Sequence, residues 1–209
     1  MEQTPPITRE RLVKLGLALP ITLVLAAGGR VGSAGAAPLV TATLRATPAC
    51  GDNEEPTPEQ TEGPYYMPGS PRRASLVTPG MKGTKLLLTG TVLTTGCKPV
   101  ARALLDFWQA DANGGYDNRG FRLRGHQFTD ARGRYRLVTV VPGLYTGRTR
   151  HIHVKVQAPG RAVLTTQLYF PGELQNGADG IFSPELVLRN MRRAGGRWTA
   201  RFDFVLDPA

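Results

Sequence analysis

Short segments in which polar and apolar residues alternate, separated by glycine or proline, constrain the fold of this chain more than any other feature. Alternation places successive side chains on opposite faces, which is the pattern of a β-strand with one buried face. The chain has 25 Gly and 17 Pro among its 209 residues, a content that favours turns between strands over long helices. The pattern predicts an all-β fold, a sandwich or a barrel of mostly antiparallel strands with long loops.

Six segments carry the strand pattern, and one segment is predicted to be helical. The strand candidates are 85–93, 100–109, 134–140, 151–156, 163–170 and 197–206. We predict one short helix near 183–193, because Ser183 is a suitable N-cap before Pro184 and because Gly195 follows two arginines at the far end.

The first 37 residues have the order of an export signal. A basic stretch precedes an uncharged apolar run at 15–27, and small residues follow up to Ala37. The run is shorter than the ~20 residues that a spanning helix needs. We therefore expect an exported protein, secreted or attached to the cell envelope, with no stable membrane span after processing; the alternative is a helix packed on the domain. Residues 38–60, rich in Thr, Pro and Ala, are predicted to be a flexible arm, and 61–209 the folded domain.

The two cysteines exclude a disulfide-dense scaffold and a zinc site of four thiolates. Because export permits disulfide formation, a bridge between Cys50 and Cys97 is a reasonable hypothesis. A lipid anchor on Cys50 competes with it, but the apolar run ends well upstream of that residue.

The charge balance permits anionic partners without requiring them. Lys and Arg number 26 against 16 Asp and Glu, a formal net charge of +10. Between Tyr116 and Lys155 there are nine basic and two acidic residues. This excess favours anionic aromatic ligands, and it equally fits a solvated polar face.

His151 and His153 form the most informative pair of residues. On a strand, this spacing places both imidazoles on one face, about 6.5–7 Å apart, so that both can bind one metal. The pair alone also fits two polar residues on a wet strand face, or a single core histidine. Tyr116, in a Gly-rich loop, and Tyr145, after a Pro-Gly turn, are predicted near strand ends. Two phenolates with two imidazoles suit Fe(III) better than zinc, although either tyrosine alone could simply pack at the core edge.

Five ordered motifs then point to a family. They are TEGPYYMPGSP (61–71), DFWQADANGGYD (106–117), FTDARGRY (128–135), PGLYTGRTRHIH (142–153) and TTQLYF (165–170). With them the chain resembles the intradiol ring-cleavage dioxygenases, which include protocatechuate 3,4-dioxygenase and catechol 1,2-dioxygenase, and the expected fold is a β-sandwich. The resemblance does not extend to the N-terminal helical segment through which the catechol enzymes dimerise. We therefore do not expect dimers of that kind, and homo-oligomerisation stays open.

The resemblance implies a role for each matching residue. The implied ligands of a non-haem Fe(III) are Tyr116, Tyr145, His151 and His153. Tyr145 would also take a substrate proton, Arg148 would stabilise charge on the substrate, and Gln167 would orient its neighbours. Pro64 and Tyr65 would line the substrate pocket.

The implied reaction is cleavage of a catecholic ring by O2 between its two hydroxylated carbons, to a cis,cis-muconate-type product. The partners would be a small aromatic diol and O2, with no nucleic acid and no organic cofactor. Two alternatives remain. One is a non-catalytic exported β-sandwich that binds polysaccharide or nucleic acid through a basic, aromatic-rich face. The other is an Fe(II) extradiol enzyme with His, His and carboxylate ligands.

Overall fold

The computed structural model describes residues 55–207, and every structural statement below concerns that part of the chain. Its strands are β1 (Lys85–Thr94), β2 (Leu104–Trp108), β3 (Arg124–Phe128), β4 (Arg134–Val140), β5 (His151–Gln157), β6 (Val163–Tyr169), β7 (Arg189–Ala194), β8 (Arg197–Arg201) and β9 (Phe204–Leu206). The predicted all-β class is confirmed. The export signal at 1–37, most of the arm and Cys50 lie outside the described residues.

The strands form two sheets. The first has the order β4-β1-β8-β7, with β9 also pairing with β1, and the second has the order β3-β2-β5-β6. Pairing is antiparallel throughout the second sheet. In the first sheet only β8 and β9 run parallel to β1. Within residues 55–207, no helix has the length and apolar character needed to cross a bilayer.

The core lies between the two sheets and follows the alternation of the strands. Leu86, Leu88 and Val92 of β1 are fully buried, as are the three apolar residues of β5, Ile152, Val154 and Val156. Burial of such side chains is worth roughly 1.5–3 kcal/mol each. The alternation therefore fixes which face of β5 meets the core, and it turns His151 and His153 to the opposite face.

The predicted helix at 183–193 is wrong. Pro184–Leu186 forms a single 3-10 turn, and Arg189–Ala194 is the edge strand β7. Gly195 and Gly196, at φ +55° and +73°, make the two-residue turn that joins β7 to β8. Positive φ at both positions is the signature of a hairpin turn, so the glycine pair marks a hairpin and not the end of a helix.

An extended segment crosses the face of the second sheet that points away from the core. We call residues 57–73 the strap. Its backbone bonds to the sheets at several points: Thr57 N donates to Val205 O at 2.9 Å, Gln60 N to Thr165 O at 2.8 Å, and Arg73 N to His126 O at 2.8 Å. Residues 57–60, which sequence reasoning placed in the flexible arm, are thus part of the ordered domain.

Candidate metal centre

The second sheet and the strap enclose the two histidines. His151 opens β5 and His153 follows on the same face, with 4% and 3% of their surfaces exposed. The two rings stand at 83° to each other, and their Nε2 atoms are 3.2 Å apart. Trp108 of β2 lies flat on His153, at 4.8 Å between ring centroids and 6° between planes. The structure therefore buries this pair, and the wet strand face that the spacing left open is not observed.

Tyr116 reaches the histidines from the loop that follows β2. The Asp111 carboxylate closes this loop by accepting bonds from the N–H groups of Asn113 and Gly115 at 2.9 and 3.0 Å. Gly114 has φ +90°, and a Cβ there would lie 2.1 Å from the Leu144 carbonyl, so no larger residue fits. The loop delivers the Tyr116 hydroxyl to 3.2 Å from His151 Nε2.

Tyr145 joins the group through Tyr65. The two hydroxyls are hydrogen-bonded at 2.8 Å. The Tyr65 ring stacks on Tyr116 at 4.5 Å and meets the Tyr145 ring edge-on at 5.5 Å. Tyr65, expected at the substrate pocket, thus sits in contact with both of the tyrosines expected to bind metal. Its neighbour Pro64 is exposed on the strap.

Burial sets the protonation of these groups. It lowers the pKa of His151 to about 4 and that of His153 well below its usual value, so both imidazoles are neutral at pH 7. His151 Nδ1 lies 2.6 Å from the Thr149 carbonyl and donates to it, which leaves a lone pair on Nε2. Burial raises the pKa of Tyr116, while the charges of Arg148 and Arg124 act in the opposite direction. Tyr116 would therefore ionise only beside a strong positive charge.

These donors fit a metal ion. Ligands that share one ion at about 2.1 Å lie roughly 3 Å from each other, and the Tyr116–His151 and His151–His153 separations are both 3.2 Å. Within residues 55–207 no three His, Cys, Asp or Glu side chains are grouped to hold a metal. The oxygen donor beside the imidazoles is the Tyr116 hydroxyl, and a mixture of phenolate and imidazole favours a hard, highly charged cation such as Fe(III).

Arg148 is held beside the centre by two partners. Its Nε donates to Asp179 Oδ2 at 2.8 Å and its Nη2 to Gln167 Oε1 at 2.7 Å. Gln167 in turn donates to the Thr61 carbonyl of the strap at 2.8 Å. Asp179 also accepts the Thr149 N–H at 2.9 Å, next to His151.

Sequence reasoning missed three contributors to this site. Asp179 gave only the weak signal of a lone acid in a Gly-rich loop, and Trp108 stood inside a quoted motif without an assigned role. Gly63 packs against His153: a Cβ on it would lie 3.5 Å from the ring, and its φ is +71°.

His126 and Cys97 do not belong to the candidate metal centre. His126 lies on β3 with its Nδ1 2.7 Å from the Ser70 carbonyl, and it anchors the strap. Cys97 lies in the turn after β1 with φ +58°. Because Cys50 lies outside the described residues, their bridge stays a prediction.

The family model described as Dioxygenase matches residues 61–208. The 6-chlorohydroxyquinol 1,2-dioxygenase of Cupriavidus pinatubonensis is 31% identical over 173 residues, covering 70% of this chain and 63% of that protein. The protocatechuate 3,4-dioxygenase beta chain of Burkholderia cepacia is 36% identical over 118 residues, covering 48% of this chain and 50% of its own length. The chain thus spans less than two thirds of these relatives.

Solved structures that superpose on this chain are likewise described as dioxygenases. The dioxygenase domain of a dioxygenase carbohydrate-binding protein fusion from Streptomyces sp. SirexAA-E superposes with a TM-score of 0.72 at 59% identity, covering 74% of this chain and all (100%) of that one. The 3-chlorocatechol 1,2-dioxygenase of Rhodococcus opacus 1CP has a TM-score of 0.68 at 30% identity and 73% coverage of both chains. With this match of sequence, fold and ordered motifs, the chain belongs to the intradiol ring-cleavage dioxygenase family.

Proposed function

We propose that the protein is a non-haem Fe(III) intradiol dioxygenase. It cleaves a catecholic ring with O2 between the two hydroxylated carbons and releases a cis,cis-muconate-type product. The observation that carries the proposal is the convergence of two neutral imidazoles and the Tyr116 hydroxyl at 3.2 Å separations, with Tyr145 in ring contact with Tyr116. Tyr116, Tyr145, His151 and His153 would hold the iron.

Fe(III), when bound, supplies the Lewis acidity and the electron-accepting capacity that make a catechol reactive toward O2. Tyr116 keeps its place because its loop is closed by Asp111 and its ring is stacked on Tyr65. Tyr145 lies in the segment between β4 and β5, followed by Gly147 at φ +76°. As a phenolate, Tyr145 would take the proton of a substrate hydroxyl and become a neutral phenol, and the Tyr65 hydroxyl hydrogen-bonds to that same oxygen.

The surrounding residues orient the substrate and exclude water. Asp179 and Gln167 orient the guanidinium of Arg148. Its permanent positive charge stabilises negative charge that develops on the substrate. The strap closes one side of the site through Gly63 and Tyr65. The relatives' names supply a panel of substrates to test: catechol, chlorocatechol, hydroxyquinol and protocatechuate.

Iron analysis and visible spectroscopy of the purified protein, followed by oxygen uptake across that panel, test the proposal. We expect one iron per chain, a reddish colour from tyrosinate-to-iron charge transfer, and a ring-opened dicarboxylic acid. A colourless protein that stays metal-free after iron reconstitution would support the non-catalytic binding module. A yellow ring-opened aldehyde would identify an extradiol reaction instead.

We also propose that the protein is exported and that Cys50 and Cys97 form a disulfide in the mature form. The apolar run after a basic start and the presence of only two cysteines support this. Thiol titration of the unreduced mature protein should find no free thiol, and two free thiols would refute the bridge.

A further inference from the structure

Arg124 is a buried arginine beside the candidate metal centre, and the proposed function gives this arginine no role. It opens β3 and is 2% exposed. Across the sheet it lies opposite Trp108, and Trp108 lies opposite His153. Gln167 continues this line on β6. Arg124 therefore belongs to the same cross-strand row as a proposed metal ligand, and we call Arg124, Trp108, His153 and Gln167 the covered row.

The contacts of Arg124 are incomplete for a buried cation. Its Nε and Nη2 donate to the Asp117 carbonyl at 3.2 and 2.8 Å. Its Nη1 has no hydrogen-bond partner in the described chain, and neither do Trp108 Nε1 and His153 Nδ1 of the same row. A buried charge without a paired anion is expensive, and so is an unbonded buried N–H group. Three neighbouring groups that lack acceptors indicate a row arranged for negative charge close by.

The carboxylates near Arg124 are used elsewhere. Asp117 accepts bonds from three backbone N–H groups of its own loop, those of Arg119, Gly120 and Arg122. Arg148, the other cation beside the centre, differs in this respect because Asp179 pairs with it at 2.8 Å. Arg124, bonded to the carbonyl of the residue after Tyr116, is thus a buried cation that forms no ion pair with a carboxylate within residues 55–207.

We propose that Arg124 is a positioning residue of the metal centre, which fixes the peptide that follows Tyr116 and balances the negative charge of the Tyr116 phenolate. This rests on the proposed iron site. A purely structural anchor for the Asp117 carbonyl would need only a neutral N–H donor. The guanidinium adds a permanent positive charge, which its fork onto the Asp117 carbonyl holds at the residue that follows Tyr116.

Two substitutions separate the charge of Arg124 from its hydrogen bonds. Arg124→Gln keeps N–H donors and removes the charge, whereas Arg124→Lys keeps the charge and loses the fork onto Asp117. Arg119→Gln, at an exposed arginine of the same loop, is the matched control. Each protein is loaded with Fe(III). The charge-transfer band and the rate of iron loss to a chelator are measured, and thermal unfolding of the metal-free forms reports the fold.

In Arg124→Gln we expect the charge-transfer band to move to longer wavelength, because loss of a nearby positive charge raises the energy of the phenolate electrons. Iron should be lost roughly 10–100-fold faster, as for other residues that support metal ligands. Arg124→Lys should keep the band near its native position and lose iron faster, and Arg119→Gln should match the unsubstituted protein in both readouts.

An unmoved band in a folded Arg124→Gln overturns the charge role, and unchanged iron loss in Arg124→Lys overturns the positioning role. If Arg124→Gln does not fold, Arg124→Lys decides alone. A native charge-transfer band with faster iron loss supports the proposal. A native band together with a native rate of iron loss contradicts it. If the unsubstituted protein takes up no iron, the proposed function itself fails, which is a distinguishable result.

Discussion

The two sheets carry matching cross-strand rows on their outer faces, and the rows have opposite surroundings. In the first sheet the row runs Arg136–Thr89–Arg201–Arg189, and its three arginines are exposed. We call it the open row. In the second sheet the covered row, from Arg124 to Gln167, is at most 3% exposed at any member. Each row begins with an arginine. Along their strands, the members of each row alternate with residues that face the core.

The difference comes from the strap, which covers one sheet and not the other. Asp106, next to the covered row, accepts bonds from Ser70 at 2.6 Å and from Tyr66 at 3.3 Å. Lys155 pairs with Glu62 of the strap at 2.5 Å. Burial and the nearby Asp106 charge raise the pKa of Tyr66 to about 12, so the phenol stays neutral and donates. Polar alternation therefore makes a reactive site only where a second segment removes water from it.

The largest expected effect is the loss of a ligand from the covered row. His153→Ala should release the iron and lower turnover by more than about a thousandfold, because it removes a ligand on which the site depends. Iron content and oxygen uptake measure this. Thr199→Ala, on the outer face of the first sheet, is the matched control and should leave both unchanged. Normal turnover in His153→Ala would refute the ligand assignment.

Removal of one hydroxyl should come next. Tyr145→Phe should retain part of the iron but lower kcat by roughly 10²–10⁴-fold, the usual contribution of a positioned proton acceptor. Single-turnover kinetics with catechol measures the step. Tyr65→Phe removes only the hydrogen bond to Tyr145, so its effect should be smaller; equal losses in both variants would contradict the assignment of the proton to Tyr145.

The third effect concerns stability under the strap. Asp106→Ala leaves the buried hydroxyl of Ser70 and the phenol of Tyr66 without their carboxylate acceptor, and it should lower the free energy of unfolding by about 2–4 kcal/mol. Urea unfolding of the metal-free protein measures this. A change below about 0.5 kcal/mol would mean that water reaches the covered face and that the strap does not seal it.

The smallest effect should fall on the open row. Arg136→Ala removes an exposed side chain that makes no ion pair among the described residues, and it should change the free energy of unfolding by no more than about 0.5 kcal/mol. The same urea titration applies. A loss as large as that of Asp106→Ala would show that the two rows are not as different as their exposure indicates.

Local patterns sufficed for several elements. The alternation at 151–156 predicted β5 and its two faces, and the run at 134–140 matched β4 in full. The helix near 183–193 failed because a cap residue and a terminal glycine also occur before a hairpin, and only pairing with β8 distinguishes the two. β3 was missed since its sequence, RGHQF, has little apolar periodicity.

The sequence by itself determined the all-β class, the face on which both histidines lie, and, through the ordered motifs, the four residues expected to bind metal. Tertiary structure alone decided that this face is dry, that Tyr65 stacks on one tyrosine while bonding the other, and that Arg148 is paired whereas Arg124 is not. The physical reason is range: alternation is a property of neighbouring residues, but burial and charge pairing depend on segments far apart in the chain, here the strap, the loop of Asp117 and the loop of Asp179.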